Sequence, residues 1–234
     1  MCGRDYTTYT DEELEMRYYN KREWRWPIEI PKDFKIQAKY NICPTQKIQV
    51  LLVQEGKMTF QEMRWGLVPS WAKTVKDADK YSMINAKAEE ITEKQSYKIA
   101  FQKRRCIVPV SGFYEWQRMG DKKKPFAIQL VDKTIMSLAG IWEHWTSQET
   151  GEVVDSYAII TTASNTFMEK IHTRMPVILD QKDEEAWLDP ENFEPKNLMP
   201  FLKPCPSEWL EAFEVSTLVN SPKNDGPEVL RATF

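Results

Sequence analysis

Histidine is scarce in this chain of 234 residues, which carries only His144 and His172. Its four cysteines, Cys2, Cys43, Cys106 and Cys205, are widely separated, and neither histidine stands near one at zinc-finger spacing. A sequence-local zinc site is therefore excluded, and reduced thiols without a metal are expected. No apolar run approaches the roughly 20 residues of a membrane span, and the charged, aromatic first thirty residues do not read as a secretory signal. Repeats and low-complexity linkers are absent too, and no domain boundary stands out. The expectation is a single cytoplasmic domain over residues 1–234, monomeric, with no cofactor, metal or membrane partner.

What is present is material for a core. Hydrophobic residues make up 41% of the chain, including nine Trp, ten Phe and nine Tyr, which argues for a folded globule. The net charge of −3 conceals an uneven distribution. Residues 71–125 hold 13 Lys/Arg against 7 Asp/Glu, while residues 176–234 hold 5 against 12. The runs Lys103-Arg104-Arg105 and Lys122-Lys123-Lys124 are either solvated faces or a local phosphate track. Overall acidity argues against tight, sequence-blind duplex binding.

The chain opens Met1-Cys2-Gly3-Arg4, and Cys2 is small enough to permit excision of Met1. That would place a free α-amine and a thiol on one residue. With reference pKa values of about 7.7–8.0 and 8.5, both are partly nucleophilic near neutrality without a dedicated base. Such a 1,2-aminothiol suits an aldehyde, whose condensation with the amine gives an imine that the thiol closes to a thiazolidine. Alternatively, Cys2 is an ordinary small residue after the start.

Farther along, Thr10-Asp11-Glu12-Glu13 reads as a capping box opening a helix with Leu14 and Tyr18 on one face. Ile48–Gln54 and Met58–Trp65 form a hairpin turning at Glu55-Gly56-Lys57. Trp65 belongs in the core and Trp71 has the surroundings of an exposed ring. Asn85 and Lys87 share a side if extended. A helix is expected over residues 96–105, strands over 106–110, 111–118, 125–130, 135–142 and 156–162, and helices over 165–171 and 180–188. Glu115 stands between aromatic residues in Gly112-Phe113-Tyr114-Glu115-Trp116. Pointing outward it is an ordinary strand carboxylate; facing inward it is suited to proton transfer. His172, at the end of its expected helix, is placed to feel the helix dipole, whereas His144 reads as structural. The pattern gives α+β with a mainly antiparallel core.

Six motifs then combine: Met1-Cys2-Gly3-Arg4, Tyr40-Asn41-Ile42-Cys43-Pro44, Arg64-Trp65-Gly66-Leu67-Val68-Pro69, Ile84-Asn85-Ala86-Lys87-Ala88-Glu89, Phe113-Tyr114-Glu115-Trp116 and Ile171-His172-Thr173-Arg174-Met175-Pro176. In this order they resemble the SRAP family of abasic-site processing proteins, first called SOS-response-associated peptidases. Val215-Ser216 through Val219-Asn220 extends the match. The resemblance implies a barrel-like mixed sheet flanked by short helices. It also implies a groove for single-stranded DNA, in which the N-terminal cysteine crosslinks to the aldehyde of an abasic site. It makes Cys2 the nucleophile, has Asn85 orient the sugar, and assigns proton transfers to Glu115 and His172. It has Arg4, Lys87 and Arg174 meet phosphates, Thr161 bond near the adduct, and Pro44 with Trp71 brace or stack on the strand. The sequence departs from the family pattern at Lys87, usually Arg, at Thr173, commonly Asp, and at Asp5, usually Phe.

Three other readings compete. An N-terminal-nucleophile glutamine amidohydrolase also begins Met-Cys-Gly but does not account for the motifs around Glu115 and His172. A peptidase using Cys2, Glu115 and His172 explains the same residues, with the chain's own leader as substrate. A non-catalytic reader of single-stranded DNA would use the groove without covalent chemistry.

Overall fold

A computed structural model describes residues 2–20, 23–31 and 34–233. Its strands are β1 Asp5–Thr7, β2 Ile28–Glu29, β3 Lys39–Ile42, β4 Lys47–Gln54, β5 Lys57–Trp65, β6 Asn85–Lys87, β7 Arg105–Val110, β8 Gly112–Met119, β9 Lys122–Leu130, β10 Met136–Thr146, β11 Val153–Ala163, β12 Arg174–Pro176 and β13 Leu210–Glu214. Antiparallel pairings run β5-β4-β7-β10-β11. A parallel pairing of β11 with β5, Ser156 opposite Arg64 and Tyr157 opposite Trp65, closes these five strands into a barrel. A second, antiparallel sheet has the order β13-β9-β8-β1-β3. The expected α+β fold with a barrel-like mixed sheet and short helices is the one observed.

Local chemistry accounts for several elements. The β4–β5 hairpin turns on two residues, Glu55 (φ 53°) and Gly56 (φ 73°), the pair of positive φ values that matches the twist of the flanking strands. Along β4, Leu51 packs with the helices on one face, while Val50 and Leu52 join a core shared with the second sheet, as a two-residue period requires. Gly112 is required by close approach: a Cβ there would lie 2.3 Å from both the Ile128 carbonyl oxygen and the Tyr6 hydroxyl. The Thr10 capping box forms, with the Glu13 amide donating to Thr10 Oγ1 and the Thr10 amide donating to Glu13 Oε2. The helix it opens, Asp11–Glu15, then widens into a π-helical turn over Met16–Asn20. This turn directs the consecutive residues Arg17 and Tyr18 inward, where Arg17 pairs with buried Glu184 and the Tyr18 hydroxyl lies 2.7 Å from Ser137 Oγ.

Three expectations change. The helix over 165–171 is a single 3-10 turn, Met168–Lys170, so the dipole invoked for His172 has no helix behind it. Asp180 does cap, but the segment divides into a 3-10 turn, Gln181–Asp183, and a short α-helix, Glu184–Leu188. The run Lys103-Arg104-Arg105 is no phosphate track. Arg105 is buried and donates to the carbonyls of Phe101, Gln102, Trp187 and Asp189, closing the Gln95–Lys103 helix, while Arg104 pairs with Glu143 at 2.6 Å.

Glu184→Ala strands the Arg17 guanidinium in the interior. Removing one partner of a buried pair costs about 3–5 kcal/mol, and chemical denaturation should show a loss of that order, with the Arg17→Met/Glu184→Leu double variant recovering most of it.

Candidate active site

Three-residue β1 lies between β8 and β3, with Asp5 opposite Phe113 and Ile42. This pairing feeds residues 2–4 into the space between the barrel and the second sheet, where Arg4 O accepts from the Tyr114 amide at 2.8 Å. Cys2 is 0% exposed, packed in the core that also holds Phe113, Trp65, Cys106 and Tyr157. From the barrel side, Asn85 on β6 donates through Nδ2 to the Cys2 carbonyl at 2.7 Å, and its Oδ1 is buried with no hydrogen-bond partner among the described residues. The β6 register alongside β11, Ile159 opposite Asn85, sets this reach.

On β8, alternation sends Tyr114 to a separate cluster with Tyr6 and leaves Phe113 and Glu115 on the Cys2 side. Glu115 is 3% exposed, so of its two possible orientations the inward one holds. Its Oε1 lies 3.9 Å from Nδ1 of His172. The Arg174 amide reaches that same Nδ1 at 3.0 Å. The Arg174 carbonyl oxygen lies 3.1 Å from Nδ1 as well, so Nδ1 accepts from the amide in one tautomer and donates to the carbonyl in the other. Glu115, His172, Arg4, Trp116, Arg118 and Lys123 line a cleft of about 380 Å³. Two roomier cavities of about 610 and 750 Å³, around Arg17, Asp132 and Ile135, contain none of the expected site residues.

The thiol does not behave as expected from its sequence position. Cys2 Sγ donates to Asp5 Oδ1 at 3.0 Å. Burial, followed by the Asp5 and Glu115 carboxylates, pushes the thiol pKa well above its ordinary value. The expectation of a thiol partly ionised at neutrality without a base is thus overturned. Burial likewise raises Asp5 to about 7, with the thiol hydrogen bond lowering it and Glu115 raising it. Asp5, visible in the sequence only as a departure from a family pattern, sits against the Cys2 sulfur.

Several expected DNA contacts have partners within the chain. Arg4 Nη1 donates to Asn41 Oδ1 at 2.7 Å and to the Val219 carbonyl, with its guanidinium 5.9 Å from the Trp116 ring. Lys87 pairs with Glu90 at 3.1 Å and Arg174 with Glu89 at 2.7 Å. Thr161 is buried and accepts from Arg174 through both its carbonyl and its hydroxyl. Pro44 is half-buried at the end of its motif. Trp71 is 45% exposed, edge-on to Tyr81 and donating to Ser96. Ser96 adjoins Tyr97, whose hydroxyl donates to the Asn85 carbonyl, and Trp71 is not among the residues lining the cleft. Arg118, which the sequence reading missed, lines the cleft with its cross-strand partner Lys123, from the run Lys122-Lys123-Lys124 expected as a solvated face or a phosphate track. Asn41 donates to the carbonyls of Val219, Ser221 and Asn224, tying the C-terminal motif to the cleft.

The family model described as SOS response associated peptidase (SRAP) matches residues 1–222. The chain is 38% identical to the Bacillus subtilis "Abasic site processing protein YoqW" over 99% of its own length and 100% of that protein. It is 31% identical to the Xenopus tropicalis "Abasic site processing protein HMCES" over 99% of its length and 78% of that protein. A solved structure from Bacteroides thetaiotaomicron superposes with TM-score 0.84 at 27% identity, both chains being covered in full. A closed mixed barrel with Cys2 buried against the second sheet, beside the cleft that Glu115 lines, is the arrangement this match covers. The chain belongs to the SRAP family.

The raised pKa of Asp5 carries a stability consequence. Because the folded value, about 7, exceeds the ordinary 3.8, the contribution is fully present below the lower value and is lost as pH rises through the upper one. Asp5→Asn should therefore be more stable than the parent at pH 8, by an amount on the order of a few kcal/mol, with the advantage shrinking towards pH 4. Denaturation midpoints at the two pH values check this.

Proposed function

We propose that this protein processes abasic sites in single-stranded DNA by covalent capture through Cys2. The observation that carries the reading is the Asn85–Cys2 hydrogen bond, which holds the N-terminal residue beside a cleft bearing a carboxylic acid and an imidazole. The names of the relatives support the same lesion. Met1 lies outside the described residues, and its removal is part of the proposal.

With Met1 gone, the Cys2 α-amine attacks the aldehyde of the ring-opened sugar, water leaves, and an imine forms. The thiol then adds to the imine carbon, giving a thiazolidine. Glu115, buried but open to the cleft, moves protons in ring opening and dehydration. His172, with Nδ1 held at the Arg174 backbone in either tautomer, works through Nε2. Asn85 fixes the Cys2 backbone and keeps Oδ1 for the amine or a sugar hydroxyl. Arg118, Lys123 and the Arg4 guanidinium supply cationic edges for phosphates, and Trp71 supplies a stacking surface. Lys87 and Arg174 reach a phosphate only by exchanging Glu90 and Glu89. A cationic rim on a chain of net charge −3 suits a short stretch of single strand better than an extended duplex. The peptidase reading has less support, because the Cys2 thiol is bonded to Asp5 and not to His172.

Cys2→Ala in a chain lacking Met1 removes the thiol and keeps the amine. On abasic single-stranded DNA it should lose the heat-stable adduct, retain one trapped by borohydride, and nick the strand by β-elimination from the unprotected imine. Retaining Met1 should abolish both adducts. A heat-stable adduct from Cys2→Ala without reductant would overturn the assignment.

A further inference from the structure

The sulfur that closes the ring is buried, protonated and bonded to a carboxylate that no role has yet claimed. Asp5 is 0% exposed, its Oδ1 accepts from Cys2 Sγ at 3.0 Å, and its Oδ2 is buried with no hydrogen-bond partner among the described residues. A buried carboxylate with an unused oxygen is expensive to maintain for structure alone. We infer that Asp5 is the catalytic base that takes the Cys2 thiol proton during ring closure and the acid that returns it on reversal. The inference rests on the covalent reaction proposed above.

The step balances without a further reactant. As the Sγ–carbon bond forms, the S–H bond breaks and its proton passes to Asp5 Oδ1, while the C=N π pair moves onto nitrogen. A protonated imine, a thiol and a carboxylate become a neutral thiazolidine and a carboxylic acid. In reverse, the acid protonates sulfur as the C–S bond breaks and the nitrogen lone pair restores the imine. Removing both charges in a site shielded from water favours closure. Glu115 is a poorer choice for this proton, since it opens to the cleft where the sugar must sit.

The surroundings suit a base that works near neutrality. Facing Asp5 are Cys2 from the N-terminal segment, Glu115 and Tyr114 from β8, Tyr157 from β11 and Cys43 after β3. Arg4, the adjacent cation, is turned to Asn41 and Val219. After excision of Met1 the Cys2 amine joins this set, as the protonated imine when substrate is bound. With Asp5 raised to about 7, closure should accelerate as pH rises through that value.

The test follows two products on abasic single-stranded DNA, using protein without Met1: the borohydride-trapped imine and the heat-stable adduct. Asp5→Asn should form the imine at the parent rate and the heat-stable adduct about 10²-fold or more slowly, without the parent's inflection near pH 7. The parent's own pH profile is an independent arm that needs no variant. Closure by Asp5→Asn at the parent rate overturns the inference, as does loss of imine trapping along with closure, or a parent profile with no inflection near neutrality. If the parent forms neither product, the covalent reaction itself fails, an outcome separate from any behaviour of the variant.

Discussion

The parallel pairing of β11 with β5 is the constraint on which the rest depends. It joins the last strand of the barrel to an early hairpin, with the Trp65 and Tyr157 rings near-parallel at 6.3 Å across the seam and the Gly66 amide donating to the Tyr157 carbonyl. Gly66 turns away at φ +116°, a left-handed value that favours glycine. The same 11-residue strand then carries β6, and so Asn85, and β12, which begins two residues after His172. Barrel closure and the positions of two site residues thus depend on one strand's register. A slip of one residue would reverse every side chain along it.

Against that frame the N-terminus is held as a strand end and not as a free tail. β1 is too short to stand alone, yet its pairings with β3 and β8 place a thiol and two carboxylates in one dry space. Burial there works against ionisation of the Cys2 thiol and of Asp5. In the proposed reaction, a thiol kept protonated this way needs a proton acceptor as it adds to the imine, and the acceptor within reach of sulfur is Asp5.

Much of this was legible in the sequence wherever the determinant was local. Glu55-Gly56 encodes its own turn and Thr10 with Glu13 their own cap, whereas the facing of Glu115, open in the sequence, is decided by its burial in the fold. Asn85 and His172 were found through motifs, and the structure brings Asn85 to Cys2 and His172 to Glu115. The failures are non-local. Arg105 reads as part of a basic surface run until the carbonyls of residues 187 and 189 surround it. The helix expected before His172 is a single turn, Met168–Lys170, and Asn165 at the start of that segment is tied to the distant Cys205 carbonyl. The thiol pKa depended on Asp5 and on a depth of burial that no local pattern encodes.

The account's central claim is that the Cys2 amine and thiol both end up bonded to one sugar carbon. Intact-mass measurement of the protein mixed with an abasic single-stranded oligonucleotide, followed by peptide mapping, addresses it directly. The predicted result is a chain lacking Met1, joined to the oligonucleotide with loss of one water, stable to heating without reductant, with the modification on residue 2. No adduct, or one mapping to a lysine of the cleft rim, would contradict it.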